Sequence, residues 1–349
     1  MVADRRPVFT VVCAYHNGQN TIGNLLESIK RQNMAREDIE VIIVDDCSDI
    51  EPPFNKPEFQ HFFTELDITI YRTSENIGYP GPVREIGTQR ANGVWLTIAD
   101  QDDLYMDDVF CKVKIELEEK NIQYYYTTNF YKLETSDNTV TNMVKQLNWN
   151  HGKFYNVDNL WKKHNIHYAD DMISHEDIYI SSQVNCILHH LGEEFYFSDL
   201  FTYVWIKNEG SVSNTLYGID EDNLPHEYME KYFGDYFKCT GYCYYERYKS
   251  GYIDREFAQL MMIQVLIYGY FYMQKFMYHH KGYYVAKNFV ECSKYVRVVR
   301  ELFNMTNEDI YQYSCRDTCE FFENIRAQSA LATGPIIPQI TYRGWLEIM

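Results

Sequence analysis

Two apolar runs that each end in a cluster of acids constrain the fold of this chain most strongly. Residues 39–44 read Ile-Glu-Val-Ile-Ile-Val, and residues 94–98 read Val-Trp-Leu-Thr-Ile. Short, β-branched and nearly continuous runs of this kind are typical of parallel strands that are covered on both faces. The segments that follow them, 45–49 and 100–103, are rich in Asp. The sequence therefore predicts an α/β sheet with carboxylates at the carboxyl ends of two strands.

The segments around these runs alternate between strand and helix patterns. A strand at 8–14 and a helix at 21–32 precede the first run, and the three elements form a βαβ unit. The pattern then predicts a helix within 50–65, a strand at 68–72, a helix at 83–92 capped by Gly93, a helix at 107–120, a Tyr-rich strand at 123–131, an irregular region at 132–160, a helix at 176–191 and strands within 195–206. A change of composition predicts two domains, 1–216 and a mainly helical 217–349.

The clustered carboxylates indicate a ligand. In an open α/β sheet, the crevice beyond the carboxyl ends of the strands is where ligands bind. Several carboxylates in that crevice repel one another unless a cation compensates them. Mg²⁺ and Mn²⁺ take one or two carboxylates and complete their shell with phosphate oxygens. We therefore expect a divalent cation that carries a phosphorylated substrate, with a plain acidic surface turn as the alternative.

Six motifs follow one another along the first domain. They are Ala14-Tyr15-His16-Asn17, Val44-Asp45-Asp46-Cys47-Ser48-Asp49, Asn76-Ile77-Gly78 with Pro82-Val83-Arg84-Glu85, Asp100-Gln101-Asp102-Asp103, Glu176-Asp177 at a helix start, and Tyr203-Val204-Trp205-Ile206-Lys207 with a Gly-Ser loop after it. Their order and spacing resemble the family 2 glycosyltransferases over about residues 8–213. The resemblance implies the GT-A fold, a Rossmann-like mixed sheet with flanking helices. It also implies an inverting, metal-assisted transfer of a sugar from a nucleotide-sugar donor.

The same resemblance implies roles for single residues. Asp177 is the expected general base, and Glu176 orients it or holds the sugar. Asp102 is the expected principal ligand of Mn²⁺ or Mg²⁺, with Asp100 beside it on the metal or the ribose. The expected nucleotide contacts are Ala14, His16, Asn17, Asp46 at the nucleobase, Arg84, Asp100, and Lys207 at the leaving diphosphate. Because a carboxylate accepts the imide N–H of uracil, UDP is the expected carrier.

Each of these residues also has a purely structural interpretation. Asp46 can cap the turn that follows it. Glu176 and Asp177 suit any helix N-terminus, whose dipole favours acids. Arg84 and Lys207 can be ordinary solvated cations.

The acceptor is open. A glycan or similar hydroxyl is expected, and the hydroxymethyl group of a modified pyrimidine in DNA, as for virus-encoded DNA-modifying transferases, is the alternative. Basic and aromatic residues alternate between Lys275 and Arg300, which suits phosphate contacts and base stacking, although an amphipathic solvated helix explains them too. A non-catalytic nucleotide-sugar-binding module is the alternative of another class. A Rossmann oxidoreductase is disfavoured because the first strand lacks a Gly-x-Gly-x-x-Gly turn.

Charge and hydropathy constrain the partners and the cellular location of the protein. The chain has 32 Lys and Arg against 50 Asp and Glu, a net charge of −18, which argues against unspecific nucleic-acid binding by the whole chain. No signal-peptide pattern precedes the first strand, and the apolar stretch 260–273 is too short to span a bilayer. We expect a cytoplasmic protein, in the host cytoplasm if it is viral, with the stripe at 260–270 as core or as a homodimer face.

The cysteines leave one further site open. Nine scattered cysteines are expected to be reduced thiols. The pairs Cys239/Cys243 and Cys315/Cys319 have helical spacing, so a four-thiolate zinc site is conceivable, although buried thiols explain them equally.

Overall fold

The computed structural model describes residues 6–208, 231, 234–279, 290–317 and 342–349. The chain divides into two compact units, Met1–Val212 and Ser213–Met349. The six motifs that resemble the family 2 glycosyltransferases all begin in the first unit. Among the described residues, no helix is both long and apolar enough to cross a bilayer.

Four parallel strands form one half of the sheet in the first unit. They are β1 (Phe9–Tyr15), β2 (Ile39–Asp45), β3 (Asp67–Arg72) and β4 (Trp95–Asp100), in the spatial order β3-β2-β1-β4. Strands β1 and β2 are buried along nearly their whole length, as expected for inner strands covered on both faces. Ala14 near the end of β1 pairs with Val44 on one side and with Asp100 on the other. Both acid clusters therefore lie at the same edge of the sheet, as predicted.

The other half of the sheet is mixed. It contains β5 (Leu104–Tyr105), β6 (Tyr125–Glu134), β7 (Thr139–Met143), β8 (Lys153–Asn156) and β9 (Tyr196–Lys207), and the order continues β4-β8-β6-β9-β5, with β7 paired to β6. Strand β8 runs antiparallel to β4, whereas β9 runs parallel to β6. The prediction that 132–160 is irregular is wrong, because this region supplies β7 and β8. Strand β8 is only four residues long, and its aromatic and polar residues give little periodic signal.

Five helices flank the sheet: α1 (Ile22–Lys30), α2 (Gln60–Glu65), α3 (Pro80–Thr88), α4 (Val109–Glu119) and α5 (Glu176–Leu191). The apolar stripe of α1 buries Ile22, Leu25, Leu26 and Ile29 in the core, as its spacing predicts. Helix α5 has the predicted bounds.

The third helix differs from its prediction in an informative way. It begins at Pro80 rather than residue 83, because a proline in the first helical turn needs no backbone N–H partner. It ends at Thr88, so Gly93 is not its cap. A Cβ on Gly93 would lie 2.7 Å from the backbone of Phe9 and Thr10. The glycine is required for the close approach of two chain segments, not for helix termination.

The described part of the second unit is helical. Its helices are α6 (Tyr242–Lys249), α7 (Arg255–His279), α8 (Val290–Phe303), α9 (Asn307–Asp317) and α10 (Tyr342–Ile348), with a π-helical turn at Tyr236–Gly241. A Cβ on Gly269 would lie 2.2 Å from the Phe237 ring, so this glycine lets α7 pack closely against the turn. The hydroxyl of Tyr295 donates to the carbonyl of Met262 and ties α8 to α7.

Candidate functional site

The end of β1 is locked to the turn that carries Asp100 and Asp102. The backbone N–H of His16 donates to Gln101 Oε1 at 2.9 Å, and Gln101 Nε2 donates back to the His16 carbonyl at 3.0 Å. A Cβ on Gly18 would collide with this amide at 2.3 Å. The second residue of the Asp-Gln-Asp-Asp motif therefore has a structural role that the resemblance did not assign.

Asp46 holds a loop in place. Its carboxylate is buried and accepts the backbone N–H groups of Ile77 and Gly78, both at 2.8 Å. The Asn-Ile-Gly motif is thereby bound to the acid cluster after β2. The neighbouring Asp45 is equally buried and pairs with Arg72 and with the Ser48 hydroxyl.

His16 and Asn17 lie on the rim of the same edge. The ring of His16 contacts the Asp46 carbonyl at 3.0 Å through Nδ1 and the Asn17 amide at 2.9 Å through Nε2. Asn17 has a φ of +50°, a left-handed conformation in which Asn is enriched among non-glycine residues. Its side-chain oxygen accepts the backbone N–H of Ile50. The predicted nucleotide contacts His16, Asn17 and Asp46 are thus joined in one hydrogen-bond network, beside Ala14 on β1.

Arg84 connects the two halves of the predicted site. This residue is only 5% exposed, and its guanidinium pairs with Asp100 through Nη2 and with Glu176 through Nη1 at 2.8 Å. Burial works to raise the pKa of Asp100, but the charge of Arg84 holds it below its usual value. One guanidinium therefore lies between the end of β4 and the start of α5. The interpretation of Arg84 as a solvated helical arginine is wrong.

The first turn of α5 carries the Glu-Asp pair. The residue before it, His175, has a φ of +61°, which is uncommon for a residue with a side chain and typical of functional turns. Asp177 Oδ1 accepts the backbone N–H of Ile178 at 2.9 Å. Burial, and then the charge of Glu176, raise the pKa of Asp177 to about 8. A carboxyl with a raised pKa in a cleft is suited to accept a proton near neutral pH.

Asp103 lies deeper than the other acids of its turn. It is 1% exposed, and its Oδ1 accepts the backbone N–H of Ile206 at 2.7 Å. One donor atom each of Asp100, Asp103 and His151 lies within 4.8 Å of the other two, and these three form the only such His, Cys, Asp or Glu cluster found in the described part of the chain. Burial, and then the charge of Asp100, raise the pKa of Asp103 well above its usual value. Two carboxylates and an imidazole are a donor set that fits a divalent transition-metal ion.

The predicted ligand Asp102 lies outside that cluster. It is half-buried, and burial, followed by the charge of Asp100, raises its pKa, while a hydrogen bond from the Asn208 side chain opposes this shift. Lys207, the last residue of β9, has its Nζ 3.6 Å from Glu134 Oε1. Its charge is thus already shared with a carboxylate on β6.

Sequence reasoning missed two buried basic residues. His151 is 5% exposed, and burial lowers its pKa to about 4. Lys153 on β8 is fully buried and donates to the Thr127 hydroxyl at 2.6 Å; burial lowers its pKa to about 7 against the opposing influence of the Asp177 charge. The available signal was His-Gly-Lys between aromatic residues in the stretch predicted to be irregular.

Two predictions lie partly outside the described residues. Of the four candidate zinc ligands, Cys239 is buried and Cys243 is half-buried, while the side chains of Cys315 and Cys319 are not described. The basic and aromatic stretch from 275 to 300 is described with its side chains only from residue 290, where Lys294 pairs with Glu291.

Known proteins resemble this chain in sequence and in fold. The family model "Glycosyl transferase family 2" matches residues 10–174. Poly(ribitol-phosphate) beta-N-acetylglucosaminyltransferase TarS of Staphylococcus aureus (strain Mu50 / ATCC 700699) is 27% identical over 95 residues, which is 27% of this chain and 16% of TarS. The matched part thus spans about a sixth of that relative.

Solved structures share the fold. The crystal structure of S. aureus TarS 1–349 in complex with UDP-GlcNAc matches with a TM-score of 0.57 at 15% identity, over 84% of this chain and 82% of that one. Mannosyltransferase PcManGT from Pyrobaculum calidifontis, in complex with GDP-Man and Mn²⁺, matches with a TM-score of 0.50 at 11% identity, over 99% and 86%. At these identities the likeness shows the fold alone. Residues 10–174 therefore match the family 2 glycosyltransferases in sequence, and the sheet resembles the GT-A fold.

Proposed function

We propose that this chain transfers a sugar, with inversion, from a UDP-sugar to a hydroxyl group of a glycan-type acceptor. The observation that carries the proposal is the double ion pair of Arg84 with Asp100 and Glu176. One guanidinium thus contacts two groups of acids. The acids after β4 are expected to face the diphosphate, and the acid pair at the start of α5 is expected to face the acceptor. A donor held between them would have the leaving group on one side and Asp177 on the other.

Asp177 is the proposed general base. In an inverting displacement, the acceptor hydroxyl attacks the face of the sugar opposite the departing nucleotide, so one carboxylate must accept its proton there. The pKa of about 8 makes Asp177 a better proton acceptor than an exposed Asp. Glu176 is fixed by Arg84 and is therefore a proposed positioning residue for Asp177 and the sugar.

The nucleotide is proposed to bind at the rim formed by Ala14, His16, Asn17 and Asp46. The Asp46 carboxylate already accepts two backbone N–H groups, so we propose that it contributes chiefly by shaping the loop at 76–78. Lys207 is proposed to approach the diphosphate once its bond to Glu134 is exchanged.

The residues present fit a divalent cation. Asp100 and Asp102 are the proposed ligands, and the nearby donor atoms of Asp100, Asp103 and His151 support a cation at this turn. A bound Mn²⁺ or Mg²⁺ supplies Lewis-acid stabilisation of the charge on a leaving diphosphate.

UDP-GlcNAc is the first donor to test, since TarS is named as an N-acetylglucosaminyltransferase and a structure of the same fold contains UDP-GlcNAc. The second unit is proposed to bind the acceptor or a second copy. None of the described residues favours DNA over a glycan as acceptor.

The test is the release of UDP from a panel of UDP-sugars with Mn²⁺, with and without candidate glycan acceptors. We expect Asp177→Asn to lower kcat by at least about a hundredfold, the usual contribution of a general base. The control is Asp170→Asn, because Asp170 is exposed and only seven residues earlier. Equal activity of the two variants, or no UDP release by the wild type with any donor, would contradict the proposal.

A further inference from the structure

The strongest unassigned feature is the side chain of Tyr168, which follows β8 in the chain and precedes α5. The residue is only 1% exposed, and its hydroxyl has no hydrogen-bond partner among the described residues. A buried hydroxyl without a partner costs free energy, and such groups are rare in folded proteins. Burial raises the pKa of Tyr168 well above its usual value, so the hydroxyl stays protonated and is available as a donor.

Tyr168 is held between α3 and α5. Its backbone N–H donates to Glu85 Oε2 on α3 at 2.9 Å. The preceding residue, His167, is bound twice to Gln183 on α5: its backbone N–H donates to Gln183 Oε1 at 3.3 Å, and its carbonyl accepts from Gln183 Nε2 at 2.8 Å. Tyr168 therefore has a fixed place between the two helices that the double ion pair of Arg84 connects.

Gly81 lets the Tyr168 ring approach Glu176. A Cβ on Gly81 would lie 3.3 Å from Glu176 Cβ and 3.6 Å from Tyr168 Cδ1. The side chains of Glu176 and Tyr168 thus flank the same point in the first turn of α3. In addition to burial, the charges of Arg84 and Glu176 act on the Tyr168 hydroxyl. The unpartnered hydroxyl therefore belongs to the surroundings of the ion pair.

A bound diphosphate would change what Arg84 can hold. The guanidinium pairs with Asp100 and, at 2.8 Å, with Glu176. A diphosphate beside Asp100 competes for this guanidinium, because phosphate oxygens accept strong, charge-assisted hydrogen bonds from Arg. The Glu176 side chain is only 17% exposed, so loss of its cation would leave a largely buried charge without compensation. A second donor beside Glu176 removes part of that cost.

We propose that Tyr168 is a positioning residue whose hydroxyl donates to Glu176 when a nucleoside diphosphate binds to Arg84. The exchange frees part of the guanidinium for the diphosphate and keeps Glu176 beside Asp177. This inference rests on the proposed function and extends it to a residue outside the six motifs.

The test is calorimetric titration of the full chain with UDP in the presence of Mn²⁺, for the wild type and for Tyr168→Phe. Hydrogen bonds to charged groups are stronger than neutral ones, so we expect the variant to bind UDP at least about tenfold more weakly. Thermal unfolding without UDP should be unchanged or shifted to higher temperature, because the deleted hydroxyl has no described partner in that state.

Two comparisons separate this role from a purely structural one. Tyr126→Phe removes another buried tyrosine hydroxyl, which donates to Glu116 Oε2 at 2.8 Å. This control should lower the thermal stability and leave the UDP affinity unchanged. In a Glu176→Gln background the carboxylate charge is absent, so Tyr168→Phe should weaken UDP binding by less than about threefold.

Equal or tighter binding of UDP by Tyr168→Phe would overturn the inference, and so would the same loss of affinity in both backgrounds or a lower stability of the variant without UDP. If the wild type binds UDP and transfers sugar while Tyr168→Phe binds equally well, this inference alone is rejected. The predicted loss of affinity without sugar transfer to any acceptor would reject only the proposed function. No UDP binding by the wild type would reject both.

Discussion

Replacing Arg84 by Met is expected to destabilise the first unit strongly. Met preserves the apolar stem but removes a guanidinium that is 5% exposed and pairs with Asp100 and Glu176. Removing one partner of a buried ion pair costs about 3–5 kcal/mol, because the other partner remains buried and uncompensated. The side chains of Asp100 and Glu176 are 33% and 17% exposed, so water compensates part of the loss. We therefore expect the lower end of that range, about 3 kcal/mol.

The matched control is Arg31→Met. Arg31 also pairs with an aspartate, Asp107, but the two side chains are 44% and 63% exposed. Exposed pairs of this kind contribute about 0–1 kcal/mol. The difference between the two variants isolates the effect of burial, since the substitution is the same.

Urea unfolding followed by tryptophan fluorescence measures the difference. Four of the five tryptophans lie in the first unit, at positions 95, 149, 161 and 205, so the signal reports mainly this unit. A three-state fit is needed if the units unfold separately. Adding Glu176→Gln to Arg84→Met removes one stranded charge and should recover about 1 kcal/mol or more. Equal stability of Arg84→Met and Arg31→Met would refute the assignment of Arg84 as the buried link between the two acid groups.

Three further predictions follow from single contacts. Because the pKa of Asp177 is raised to about 8, kcat/KM should rise with pH and level off above about 8, and a profile already flat at pH 6 would contradict its role as base. The raised folded pKa also means that Asp177 contributes a fall in stability as the pH rises from about 4 to about 8. Asp177→Asn should therefore make the decline of stability with pH shallower in unfolding measurements. Asp46→Asn replaces one of two oxygens that accept backbone N–H groups, so it should lower the free energy of unfolding by about 1–3 kcal/mol in thermal unfolding. The control Asp49→Asn, at an exposed position, should change that free energy by no more than about 0.5 kcal/mol. Similar values for both variants would disprove the role of Asp46 in holding the loop. Gly93→Ala should lower the free energy of unfolding by about 1–3 kcal/mol in urea, because its Cβ would lie 2.7 Å from backbone atoms. The control Gly23→Ala, in helix α1 with only a side chain at 3.4 Å, should be neutral or stabilising by up to about 1 kcal/mol. A harmless Gly93→Ala would restore the interpretation of this glycine as a simple cap.

The parallel half of the sheet could be predicted from the sequence because its signals are local. The β-branched runs, their acid clusters and the α1 stripe each lie within one short segment. The bounds of α5 could also be predicted, because the Glu-Asp pair at its start and Gly192 at its end are ordinary helix signals.

The features that could not be predicted from the sequence depend on long-range contacts. The need for a glycine at position 93 comes from the backbone at residues 9 and 10, which no local pattern reveals. Likewise, the burial of Arg84 depends on Glu176, 92 positions later. The approach of His151 to Asp103 depends on Tyr203 and Trp205 of β9, whose rings stack on the imidazole, and the sequence offered only an apparently irregular stretch there.

The most direct test of the central claim is a crystal structure of the full chain with UDP-GlcNAc and Mn²⁺. We expect the diphosphate to lie at the end of β4 beside Asp100, the uridine to lie along the rim of His16 and Asn17, and the anomeric carbon to face Asp177. A nucleotide bound elsewhere on the chain, or a sugar turned away from Asp177 in this cleft, would contradict it.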